Sequence, residues 1–129
     1  MEEKLFKNTV ALINRLYGYY MRVKEIHWIN TNGNVHDLMD NLSWHINDKI
    51  DQIMEIILSK FGRESLSYQS ICPDIIVCDD PEDLVNRMNE DLVKYKKVIP
   101  EDEEYAGLRS KIDQMIADVN IDTYRSKLE

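Results

Sequence analysis

The sequence predicts an all-α domain, four long helices paired as two antiparallel hairpins with a long crossover between the pairs. Two observations carry that prediction. Apolar residues recur at steps of three, four and seven through most of the 129 residues, the mark of amphipathic helix. The three prolines, Pro73, Pro81 and Pro100, fall where that period breaks. Nothing alternates as a strand should, apart from the short Ile75-Ile76-Val77 segment. A chain of this length has room for one domain, taken as residues 1–129.

Each element follows from local chemistry. The first helix is expected over residues 2–28, where Leu5, Leu12, Leu16, Tyr20, Val23 and His27 form one stripe. Asn30-Thr31-Asn32-Gly33-Asn34 is turn chemistry, with Asn34 the expected N-cap of the second helix. That helix is expected over 35–61. Leu38 and Met39, then Leu42, Ile46, Ile50, Ile53, Ile57 and Phe61 keep its period, and Gly62 stops it. Residues 63–79 have no helical period and form the crossover, with Ile75-Ile76-Val77 packing onto the bundle. Asp80-Pro81-Glu82-Asp83 reads as an N-cap, a proline in the first turn and two acids at the positive end of a third helix, residues 81–97. Pro100 forces a break, and the fourth helix follows over 101–127. Two hairpins joined by one long crossover is the ferritin-like form of the four-helix bundle.

The halves echo one another. Leu12-Ile-Asn-Arg-Leu16 returns as Leu84-Val-Asn-Arg-Met88, and Lys49-Ile-Asp-Gln52 as Lys111-Ile-Asp-Gln114. Duplication and shared helical patterning explain such short matches equally well. The differences say more: Ile99 stands where the first half has His27, and Ala117 where it has Glu55. All three histidines lie in the first hairpin, so imidazole chemistry belongs there.

Composition narrows the function. Apolar residues make up 43 % of the chain, enough for a core. Sixteen basic against 24 acidic residues leave a formal charge of −8. A phosphate backbone is repelled by such a field, so DNA binding is not expected. No apolar run approaches the ~20 residues that span a bilayer. The opening Met1-Glu2-Glu3-Lys4-Leu5 is acidic where a secretory signal is basic, so a cytoplasmic protein without membrane partners is expected. Cys72 and Cys78 have no neighbouring ligands for a zinc site and are expected as two small, mostly buried thiols.

One polar stripe stands out. With His36 as zero and ~100° per residue, Asp40, Asp51 and Glu55 fall near ~40°, ~60° and ~100°, beside an apolar stripe centred at ~290°. His27 ends the inward stripe of the first helix. Imidazoles with carboxylates suit iron, manganese or zinc. The plainer reading is a solvated acidic face and a hydrogen-bonded core histidine. Glu-x-x-His occurs nowhere in the chain, which excludes the usual di-iron centre inside a bundle. His36 and Asp51 are fifteen residues apart, or ~22 Å of helix. One helix cannot bend that span around one ion, so a shared metal needs two subunits. Antiparallel second helices crossing about a twofold near Trp44, His45 and Ile46 would set His36 of one against Asp51 and Glu55 of the other, twice over. His45 points away from His36 and is expected at the surface or interface, not as a ligand.

Tyr20-Met-Arg-Val-Lys-Glu-Ile-His27-Trp28, then Val35-His36-Asp-Leu-Met-Asp40, then Ile50-Asp51-Gln-Ile-Met-Glu55-Ile together resemble the mini-ferritin, or Dps (DNA-protection-during-starvation), family. The resemblance is carried by residues 10–60 and is architectural beyond them. It implies metal ligands His27, His36, Asp51 and Glu55, with Asp40 as an auxiliary acid. It also implies a di-iron or mononuclear ferroxidase that oxidises Fe(II) with peroxide or dioxygen and sequesters the product. Zinc and manganese suit the same ligands. The implied partner is the chain itself, as a twofold dimer and by extension a dodecamer. Neither end carries the Lys/Arg-rich tail with which such proteins commonly bind DNA. The alternative function is a ferritin-like bundle serving as a structural or interaction module without catalysis.

Overall fold

The computed structural model of the chain describes residues 2–127, with side chains over 3–120. Among the described residues there are four α-helices and no strand: α1 (Glu2–Ile29), α2 (Gly33–Phe61), α3 (Pro81–Lys96) and α4 (Ala106–Lys127). None of these helices is long and apolar enough to cross a membrane. Helix α1 packs on α2 and α3, and α4 packs on the same two, so α1 and α4 sit at opposite corners of a four-helix bundle.

The expected stripes form most of the core. Leu5, Leu12, Leu16 and Val23 of α1 and Leu38, Met39, Leu42, Ile46, Ile50, Ile53 and Ile57 of α2 are buried. The inward face of α1 is rotated slightly from expectation. Thr9, Ile13, Tyr19 and Ile26 lie inside, while Tyr20 and His27 are only half-buried at its edge.

Two boundaries carry their expected signals and two move. Gly62 closes α2 at φ 89°, with its N–H on the Leu58 carbonyl, a backbone position that favours glycine. Asp80 caps α3 by accepting from the Asp83 N–H at 3.2 Å, and Pro81 opens it. The N-cap of α2 is Asn32, not Asn34. The Asn32 side chain accepts from the N–H groups of Asn34 at 2.9 Å and Val35 at 3.3 Å, so the helix starts earlier and Asn34 becomes part of its first turn. Helix α4 starts later than expected, after a single 3-10 turn at Glu103–Tyr105. The Arg109 guanidinium donates to the carbonyls of Pro100 and Asp102, and Tyr105 is buried. Those contacts satisfy the non-helical backbone after Pro100 and hold it off the helix.

The crossover lies along α1. Asn14 binds it three times: its side-chain oxygen accepts from the Cys72 N–H at 2.8 Å, its side-chain nitrogen donates to the Ser70 carbonyl at 3.4 Å, and its carbonyl accepts from the Asp74 N–H at 3.0 Å. Gly18 allows the close approach of Asp74 and Ile76. Of the three residues expected to pack, only Ile76 does. Ile75 and Val77 are 89 % and 85 % exposed, because extended backbone turns alternate side chains to opposite sides. The thiols also depart from expectation: both are free, Cys72 is exposed and Cys78 is half-buried. On the crossover, they lie outside the bundle core. Burial pushes the Cys78 thiol up.

Helix α3 returns along α1 in the opposite sense, since Tyr95 meets Thr9 (2.6 Å) while Asp91 meets Arg15 (3.0 Å) and Tyr19. Burial, then the Asp91 carboxylate, pushes the Tyr19 hydroxyl well above its ordinary range.

Candidate metal centre

The three-residue connection Asn30–Asn32 brings the last turn of α1 against the first turn of α2. The last carbonyls of a helix have no partner within it, and here the His27 carbonyl accepts from His36 Nδ1 at 2.8 Å. The reverse bond also forms, from His27 Nδ1 to the His36 carbonyl at 2.9 Å. The rings stack, with centroids 3.8 Å and planes 24° apart.

This reciprocal pair fixes chemistry. A carbonyl oxygen only accepts, so each Nδ1 carries a hydrogen. In the neutral ring the lone pair then sits on Nε2, and neither Nε2 has a partner among the described residues. A backbone carbonyl on the far nitrogen is the arrangement that orients metal-ligating histidines and makes them better donors. Two such nitrogens suit Fe(II), Mn(II) or Zn(II) once carboxylates join them.

The carboxylates are placed elsewhere. Asp40 is half-buried one turn beyond His36, and its carbonyl accepts from Ser43 Oγ at 2.7 Å. Asp51 and Glu55 are exposed, one turn apart, farther along α2. At 1.5 Å per residue they lie ~22 Å and ~28 Å beyond His36. Among the described residues no three His, Cys, Asp or Glu converge, as that spacing requires of a single chain.

What joins the two ends is a common outward face. Asp37, Asn41, Trp44, Asp48, Asp51 and Glu55 are all exposed, at alternating steps of four and three, which is one side of a helix. Trp44, 70 % exposed, stands midway. With Tyr20, Lys24, Ser43 and Asn47 it lines a shallow groove of about 200 Å³ between α1 and α2. Farther along α1, Lys24 Nζ lies 5.7 Å from the ring of Trp28, itself 70 % exposed. Of the residues expected at the crossing of two second helices, Trp44 faces out and His45 is half-buried, but Ile46 is fully buried in the bundle. Ile46 therefore belongs to the core and cannot take part.

One feature escapes the apolar pattern. The ring-to-carbonyl exchange between His27 and His36 needs the exact reach of the loop, and Asn30 and Asn32 supply it by bonding the loop's own N–H groups. The only trace in the sequence is the brevity of that asparagine-rich turn. No protein family, curated protein or solved structure matches the chain.

Proposed function

We propose that this chain is a ferritin-like bundle of the Dps kind, which takes Fe(II) into sites shared by two copies, oxidises it and sequesters the product in the cytoplasm. The observation that carries the reading is the reciprocal His27–His36 pair, a two-nitrogen half-site with its tautomers fixed. The other half stands ready on the same helix: Asp51 and Glu55 are exposed and aligned, ~22 Å or more away, where only a second copy can use them. The crossover along α1 and the return of α3 antiparallel to it support the paired-hairpin architecture.

The chemistry divides between the donors. Neutral imidazoles hold Fe(II), and the carboxylates of the second copy favour the ferric state. Each Fe(II) gives up one electron, so a peroxide that takes two electrons and two protons to become two waters is consumed by two irons. Asp40, beside the histidine end, is the auxiliary acid. A dodecameric shell would add a storage cavity to these sites.

Trp28 follows His27 directly, so anaerobic Fe(II) should quench tryptophan emission. The double substitution His36→Ala/Asp51→Ala should abolish both the quench and the oxidation of Fe(II) by peroxide. Oxidation by the wild type no faster than by the double variant would leave a bundle without catalysis, acting as a structural module.

A further inference from the structure

The outer face of α2 is charged in a way that bears on when two copies can meet. From Gly33 to Ser59 the helix carries five carboxylates, Asp37, Asp40, Asp48, Asp51 and Glu55, and one cationic side chain, Lys49. Lys49 is turned inward, 8 % exposed, with its Nζ 3.6 Å from Asp48. Lys24, on the neighbouring edge of α1, sits over the Trp28 ring, and Arg22 is paired with Glu25 at 2.8 Å. The face thus presents carboxylates, Trp44 and the imidazole pair, with the Lys24 ammonium at its α1 edge, so acidic groups outnumber basic ones on it. Antiparallel pairing would lay two such faces together, and like charges across an interface oppose association.

We propose that pairing through this face is gated by divalent metal: metal-free chains repel one another there, and one ion at each His27–His36 pair joins them. The inference rests on the shared-site reading above and adds its regulation. The imidazole pair complements Asp51 and Glu55 once an ion sits on it. The ion's charge then offsets that of the Asp51 and Glu55 carboxylates laid against it. A ligand completed by both copies binds the pair more tightly than the single chain, and by linkage it drives pairing by the same factor. Trp44 supplies one apolar anchor per copy, and the ions offset the like charge around it.

Sedimentation velocity of the full chain tests this. After chelator treatment, at micromolar concentration and low salt, the expected species has the single-chain mass of 15.3 kDa. One equivalent of Zn(II), or of Fe(II) without oxygen, should double that mass and lower the apparent dissociation constant of the pair at least about tenfold. His36→Ala should stay single with either metal. The double variant D37N/D48N, which alters no ligand, should pair without metal. So should the wild type in 1 M NaCl, where charge is screened within about 3 Å. A metal-free, low-salt wild type already paired, with D37N/D48N no different, overturns the gate while the shared site stands. A chain that keeps its single mass with metal, yet oxidises Fe(II), overturns the gate and the shared site together.

Discussion

Splitting the ligands over two chains makes a quantitative prediction about mixtures. A chain with His36→Ala loses its imidazole half-site and keeps Asp51 and Glu55. A chain with Asp51→Ala does the reverse. In an antiparallel pair each site takes histidines from one copy and carboxylates from the other. A mixed pair therefore has one site damaged in both halves and one wholly native. Equal mixing in 1 M NaCl, where pairing does not depend on metal, makes half the pairs mixed, so about one quarter of all sites are intact. Each variant alone should oxidise Fe(II) at the background rate, and the mixture at about one quarter of the wild-type rate. The assay is ferric absorbance after peroxide is added to Fe(II)-loaded protein, with the chains mixed in chelator before loading. Wild type diluted with an equal amount of the double variant should fall to about one quarter, not one half, because every mixed pair then has two damaged sites. A mixture of single variants no faster than either variant alone refutes the shared site.

Two further predictions concern the scaffold. A Cβ on Gly18 would stand 2.4 Å from the Asp74 carbonyl oxygen and 2.7 Å from Ile76 Cγ1. Gly18→Ala should therefore lose about 1–3 kcal/mol to overpacking against the crossover, more than the ~1 kcal/mol that helix propensity returns. Gly107→Ala meets nothing within 4 Å and should gain up to ~1 kcal/mol; urea unfolding that ranks them the other way contradicts this packing. Burial pushes the Tyr95 hydroxyl from 10.0 up to about 12. The folded chain then keeps a proton that the unfolded chain loses, so this contribution is whole below pH 10 and falls by roughly 3 kcal/mol between pH 10 and 12. Tyr95→Phe should flatten that part of the decline in thermal scans against pH.

The fold was legible because its signals are local. A period of three to four residues places Leu42, Ile46 and Ile53 inside without knowledge of the partner helix, and Asp80-Pro81 marks a helix start by its own backbone chemistry. The misplacements occur where distant groups decide. Asn32 rather than Asn34 caps α2, since both have the right side chain and only the chain path selects one. Arg109 keeps residues 101–105 from joining α4, and that contact spans seven and nine residues. Ile75 and Val77 look like core by hydropathy, yet a lone extended segment with one face against a bundle buries only every second residue. Residue type and spacing alone single out the candidate ligands. They do not reveal the ring-to-carbonyl exchange, because a hydrogen bond to backbone leaves no mark on residue identity.

In the proposed pair the two half-sites have different structural origins, and that difference says where its twofold axis would lie. The imidazoles are set by a turn inside one chain, so their geometry exists before any partner arrives. The carboxylates are set by helical register alone, so their distance from the histidines is fixed by residue count. In an antiparallel pair, facing residues are symmetric about the axis. The midpoint of 36 and 51 is 43.5, and of 36 and 55 is 45.5. Those midpoints bracket positions 44 and 45. Ile46, just beyond, is spent on the bundle core, and His45 is half-turned from solvent. Trp44 is the residue that faces outward there. A large aromatic at the axis meets its own mate at the centre of the interface, where buried anchors contribute most. The exposure of Trp44 and the spacing of the candidate ligands thus give the proposed pair one and the same axis, the first from surface chemistry and the second from helix geometry.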